Sequence, residues 1–148
     1  MKTLIIYDSL YGNTEKTAQA IGGALTGEVT VLRAGEVNLS NLGRGDLLVV
    51  GSPTQGGRPT KVMQEFLNNI PANALKSVNV ATFDTRVQTK IAVVFGYAAG
   101  KIANSLKKKG ATLVATPEGF FVQSTKGPLK EGELERAASW AKSITVSQ

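Results

Sequence analysis

Apolar residues fall along the chain in short runs separated by stretches with helical spacing. Leu4–Tyr7 is such a run; it stops at Asp8 and predicts a buried strand. Thr14–Leu25 predicts a helix, with Ala18, Ile21 and Leu25 along one face and Gly27 after its end. Val29–Leu32 and Leu47–Val50 predict the second and third strands, the third apolar on both faces as in a central parallel strand. Pro59 fits a first helical position, Val62, Met63, Phe66, Leu67 and Ile70 form the core stripe, and Pro71 ends that helix. Val78–Phe83 predicts a fourth strand. Ala98, Ala99, Ile102, Ala103 and Leu106 mark a third helix, closed by Lys107–Lys109 and Gly110. Thr112–Ala115 predicts a fifth strand that can resume at Gly119–Val122 after Pro117. Leu134, Ala137, Ala138, Ala141 and Ile144 make the last helix. Ile91–Phe95 stays open between an extra edge strand and an apolar loop. The alternation of strands and helices predicts a doubly wound α/β sheet, in which ligands bind at the carboxyl ends of the strands.

Composition narrows the chemistry. The chain has no cysteine, which removes disulfides, iron–sulfur clusters and thiol redox chemistry. It has no histidine, which removes the commonest metal ligand and general base and every Ser-His-Asp arrangement. Any chemistry is therefore borrowed from a cofactor or absent. With 148 residues, 42% hydrophobic and 19% charged, the chain fits one domain with a substantial core, expected to span 1–148. Its apolar runs are too short to cross a bilayer. The start, Met1 followed by Lys2-Thr3-Leu4-Ile5-Ile6-Tyr7, lacks a signal segment, so the expected location is the cytoplasm. Lys and Arg number 17 against 11 Asp and Glu, a net charge of +6, which raises nucleic acid, anionic membrane and acidic protein as partners. The basic residues are scattered without aromatic interleaving, which argues against nucleic acid. Lys107–Lys109 read as solvated charges at a helix end.

The segments after the first, third and fourth strands carry the candidate chemistry. Asp8-Ser9-Leu10-Tyr11-Gly12-Asn13-Thr14-Glu15 runs from a strand into a helix. Gly12 permits close backbone approach, Asn13 and Thr14 are helix-capping types, and Ser9, Tyr11 and Thr14 add hydroxyls. A helix start with free N–H groups is a phosphate site that needs no cation; the same string also reads as an ordinary capped turn. The dinucleotide fingerprint Gly-x-Gly-x-x-Gly is absent here, and neither Lys16 nor Gly96–Lys101 completes a P-loop. A phospho-acceptor reading of Asp8 fails because Gly51-Ser52-Pro53 offers no aspartate after the third strand.

Ser9-x-x-Gly12-Asn13-Thr14-Glu15 resembles the phosphate loop of the flavodoxins, which bind FMN. Gly51-Ser52-Pro53-Thr54-Gln55-Gly56-Gly57-Arg58-Pro59 lies where that family wraps the isoalloxazine ring, and Phe83-Asp84-Thr85-Arg86 where its third flavin loop lies. The resemblance covers essentially the whole chain, in the short-chain form. It implies a three-layer sandwich with a five-stranded parallel sheet, order 2-1-3-4-5, and helices on both faces. It also implies FMN as cofactor, with Ser9, Leu10, Tyr11, Gly12, Asn13 and Thr14 at the phosphate. Pro53, Thr54, Gln55, Gly56, Gly57, Asp84, Thr85, Arg86 and Val87 would flank the ring. The implied function is electron transfer between redox protein partners by a monomer, with no side chain as proton-transfer catalyst. The basic surface suggests a partner with an acidic docking face. An NAD(P)H-dependent flavin or quinone reductase, and a module that has lost FMN, are the alternatives on the same scaffold.

The sequence departs from the family pattern twice. Asp84–Thr89 holds neither the aromatic ring nor the glycine usual in the third loop; Phe95 and Tyr97 are the nearest rings, each equally a packing residue, and Ile91–Phe95 offers itself as a cover for the flavin edge. Flavodoxins are generally acidic, whereas Arg58, Lys61, Arg86 and Lys90 stand in or beside these loops with Asp84 the sole carboxylate. If those cations face the flavin, its reduced form is favoured and its potential rises.

Overall fold

The computed structural model describes residues 2–37, 39–88 and 96–146. Ile91–Phe95, with Thr89 and Lys90, lies outside the described residues. The chain runs β1 (Lys2–Tyr7), α1 (Asn13–Ala24), β2 (Glu28–Arg33), two single 3-10 turns, β3 (Leu47–Pro53), α2 (Lys61–Asn69) and β4 (Asn79–Val87). It continues through α3 (Ala98–Lys108), β5 (Thr112–Leu113), β6 (Glu118–Val122) and α4 (Glu133–Val146).

The strands pair in parallel in the order β2-β1-β3-β4-β5, and β6 also pairs with β4. The fifth position in the sheet is thus shared by two short strands. β5 aligns Leu113 with Val80 and β6 aligns Glu118 with Phe83. The edge therefore uses five residues where β4 uses three. Pro117 sits in the slack, as a residue without an N–H must at a sheet edge. Five positions are filled as expected, with the fifth interrupted.

Burial on both faces explains the apolar runs. Leu48 and Val50 of β3, with Ile6 of β1, pack under Met63 and Leu67 of α2 and Ile102 and Leu106 of α3. Leu47 and Val49, with Ile5, face the opposite layer of Ala18 and Ile21 of α1 and Ala137, Ala141 and Ile144 of α4. Phe83, Phe120 and Trp140 meet edge to face there, with centroids 5.9–6.2 Å apart, so Trp140 is a packing residue. Two expected core positions, Val62 and Leu134, are exposed. Among the described residues no helix is long and apolar enough to cross a membrane.

Candidate functional site

At the carboxyl ends of β1, β3 and β4 the connecting segments converge on a cleft of about 210 Å³. Its first wall is the β1–α1 turn. Ser9 Oγ accepts from the Gly12 amide at 3.0 Å, and Gly12 takes the cap position of α1 with φ 91°, a left-handed conformation that a side chain would strain. Among the described residues no side chain caps α1. The capping types Asn13 and Thr14 are spent otherwise: Asn13 Nδ2 donates to the Lys126 carbonyl at 3.2 Å, and the Thr14 and Thr85 hydroxyls share a buried bond of 2.7 Å. The amides of Asn13, Thr14 and Glu15 have no backbone acceptor among the described residues, the first helical turn bond being Lys16 N–H to Gly12 at 3.0 Å. α2 is the contrast. Its cap Thr60 accepts from the Met63 amide at 3.2 Å, and the Thr60 hydroxyl donates to buried Asp8.

The second wall follows β3. Gln55 and Arg58 exchange backbone hydrogen bonds of 2.7 and 3.0 Å, closing a turn whose tip, Gly56 and Gly57, has φ of 56° and 79°. Thr54 ties the turn down: its amide donates to the Thr85 carbonyl at 2.9 Å, and its hydroxyl accepts from the Ala98 amide at 3.0 Å. The backbone of Gly56 and Gly57 is consequently presented to the cleft rather than collapsed onto the sheet.

The third wall differs from the sequence expectation. Asp84–Val87 is not a loop after the fourth strand but the end of β4 itself, paired with β6 from Asp84↔Gly119 to Val87↔Val122. Strand alternation then splits the group. Thr85 turns towards α1 and meets Thr14; Asp84 and Arg86 turn towards α3. Asp84 is fully buried, receives Arg86 Nε and Nη2 at 2.7 and 2.9 Å, and accepts from the Ala99 amide at 2.9 Å. Burial pushes its carboxyl above the usual aspartate value, against the pull of Arg86 and the Ala99 amide. The Arg86 guanidinium lies 3.4 Å from the Tyr97 ring centroid and also rests on Gly119, where a Cβ would come within 2.1 Å of Nε. Tyr97 therefore packs on Arg86 at the start of α3.

All the expected site residues line the cleft except Gly12, which caps α1 in the first wall, and Asp84, which is buried beneath the third. Leu10 and Tyr11 form a half-exposed rim. Val122 and Thr125, not singled out in the sequence, complete the lining. The signal for them was present: Gly119–Val122 read as a resumed strand, which places the following residues at the same sheet edge. Of the cations weighed for the flavin, Arg86 is neutralised by Asp84, Arg58 lines a different groove, Lys61 is exposed at the start of α2, and Lys90 is outside the described residues. The rise in potential expected from unpaired cations thus loses its Arg86 contribution.

A doubly wound parallel sheet with an uncapped helix start inside a cleft at its carboxyl edge places an anion-accepting group where such sheets bind their ligands. The flavodoxin family model matches residues 5–140, and the chain belongs to the flavodoxin family, whose members bind FMN and transfer electrons. The fold is similar to that of a flavodoxin from the domain Archaea, with a TM-score of 0.80 at 22% identity over 99% of this chain and 97% of that one. It is also similar to flavodoxin 2 from Bacillus cereus, with a TM-score of 0.77 at 23% identity over the whole of both chains.

Proposed function

We propose that this protein is an FMN-dependent electron carrier whose cofactor occupies the cleft at the ends of β1, β3 and β4. The observation that carries the reading is the start of α1, where three amides point from an uncapped turn and no side chain competes for them. A phosphate dianion is the group such a start accepts, with the helix dipole adding to the attraction. Ser9 holds the turn in shape, Gly12 lets the backbone approach, and the Thr14–Thr85 hydroxyl pair braces the floor. Pro53, Thr54, Gln55, Gly56 and Gly57 on one side and Thr85, Arg86 and Val87 on the other flank the ring.

FMN, when bound, supplies the redox chemistry, taking up electrons and releasing them singly. The protein's part is to bind, orient and shield it. The Gly56-Gly57 tip offers backbone groups to the ring's polar edge, and Val87 and Val122 give it an apolar wall. Electrons pass between redox protein partners, and the basic surface fits a partner with an acidic docking face.

Titration of flavin-stripped protein, followed by flavin fluorescence, tests the reading with riboflavin in parallel. FMN is expected to be quenched tightly and riboflavin at least tenfold more weakly. Thr14→Val, which removes a hydroxyl from the floor, should weaken FMN several-fold and leave riboflavin unchanged. Equal affinity for the two flavins, or none for either, overturns the proposal.

A further inference from the structure

The net charge of this protein is confined to one stretch of it. Between residues 66 and 117 stand seven Lys and Arg and one carboxylate, Asp84; the rest of the chain holds ten cations and ten carboxylates. The whole +6 therefore belongs to residues 66–117, the stretch of sequence that contains β4, α3 and β5. Inside it Asp84 and Arg86 cancel each other. Lys101, Lys107 and Lys108 lie on α3, which has no carboxylate, and all three are exposed. α3 covers the sheet face opposite α1 and α4, and those two helices carry charges of both signs.

One end of this basic layer adjoins the cofactor cleft. A groove of about 330 Å³ runs between α2 and α3, with Pro59 and Leu67 as its apolar lining and Arg58 and Lys101 as its cations. Arg58 closes the turn whose other three residues, Gln55, Gly56 and Gly57, line the cleft. Neither cation has a carboxylate partner among the described residues. Asn68 and Ser105, also in the groove, make no side-chain hydrogen bond among the described residues. The Ala98 and Ala99 amides at the start of α3 are taken by Thr54 and Asp84.

We infer that the α2–α3 groove is the docking surface for an acidic protein partner, whose carboxylate side chains seat between Arg58 and Lys101. The chemistry matches: two unpaired cations for charge, an amide and a hydroxyl for hydrogen bonds, and an apolar floor for the carboxylate's methylenes. A partner seated there lies against the Gln55–Arg58 turn, beside the redox cofactor. Opposed charges steer such an encounter and fix its orientation, and their effect falls with salt. A nucleic acid is the less suitable occupant, since Arg58 and Lys101 have no aromatic residue among the groove's lining on which a base can stack.

This inference deepens the electron-carrier reading and rests on it for its biological sense, but its test is independent of flavin. A plant-type [2Fe–2S] ferredoxin, an acidic redox protein, serves as the probe for isotope-labelled full chain in an NMR titration at low ionic strength. Shift changes are expected to concentrate in residues 55–68 and 98–105, and to weaken at least tenfold between about 20 and 200 mM salt. Arg58→Glu/Lys101→Glu should lower the affinity at least tenfold, whereas Lys107→Glu/Lys108→Glu should lower it less than threefold. Changes centred on α1 and α4, equal loss from both double variants, or tighter binding of a 20-base-pair DNA duplex at the same residues overturns the assignment. If the parent binds the ferredoxin at the groove but takes up no FMN, the docking surface stands and the electron-carrier reading falls.

Discussion

At the scale of residues, the third wall of the cleft is built on the Asp84–Arg86 pair. Asp84 has no exposure to solvent and is tolerated because Arg86 and the Ala99 amide satisfy it, while Arg86 is fixed in turn by Asp84, Tyr97 and Gly119. Such a pair adds little net stability as a unit, but removing one member strands the other. Arg86→Leu is expected to cost about 3 kcal/mol at pH 7, with the magnitude set by the carboxylate left alone. The pH dependence gives a separate sign. Burial already raises the Asp84 pKa, so the protonated form favours the folded state, and loss of Arg86 raises it further. The penalty should be smallest below the ordinary aspartate value of 3.8 and grow as pH rises through the raised folded value. Urea unfolding of parent and variant between pH 4 and 8 checks this; a penalty that shrinks with rising pH contradicts it.

At the scale of elements, the contrast between α1 and α2 separates function from stability: α2 is capped by its own Thr60 and α1 is left open at the cleft. α4 is secured to the edge strand of the sheet. Glu133 Oε2 accepts from the Phe121 amide at 2.7 Å and pairs with Arg136 at 2.7 Å, and Arg136 also donates to the Gly119 carbonyl, so one carboxylate joins helix to edge strand. The Arg136 guanidinium and the Phe121 amide hold the Glu133 carboxyl below its ordinary value. A depressed folded pKa means the ionised form favours the fold; that contribution is complete above 4.5 and is lost as pH falls through the lowered value. Glu133→Gln should therefore cost about 1–3 kcal/mol at neutral pH, as for a partly buried charged hydrogen bond, and progressively less in acid. Unfolding midpoints of parent and variant from pH 7 to 3 should converge. Most of these elements were legible from the sequence, since Leu47–Val50 and its neighbours are apolar on both faces and leave little choice of layer. The strand character of Asp84–Val87 was not, because its polar residues look like a loop until β6 is seen to pair with them. The burial of Asp84 against Arg86 was hidden for the same reason: period-2 alternation assigns faces only once the strand is known to continue.

At the scale of the molecule, the cleft draws on β1, β3, β4 and the segment after β6, so its occupation reports on the whole sheet. The links are specific. Thr14 of α1 bonds Thr85 of β4, Thr54 after β3 bonds both Thr85 and the start of α3, and Asn13 bonds the Lys126 carbonyl beyond β6. A ligand that bridges these segments binds the folded state alone, and folding is stabilised by mass action, by about 2.7 kcal/mol when free ligand is 100 times its Kd. For a chain of this size each kcal/mol moves the midpoint by roughly 2–4 °C, so saturating FMN should raise the melting temperature by about 5–10 °C. Riboflavin at the same concentration lacks the group that α1 is left open to receive and should raise it by much less. Thr14→Val is the internal control. It should bring the FMN shift towards the riboflavin shift while leaving the riboflavin shift where it was, because Thr14 stands in the α1 start that we propose as the phosphate site. Differential scanning calorimetry of stripped protein with each flavin reads all four values. An FMN shift no larger than that of riboflavin would mean that the open start of α1 is not where the cofactor's charge is held.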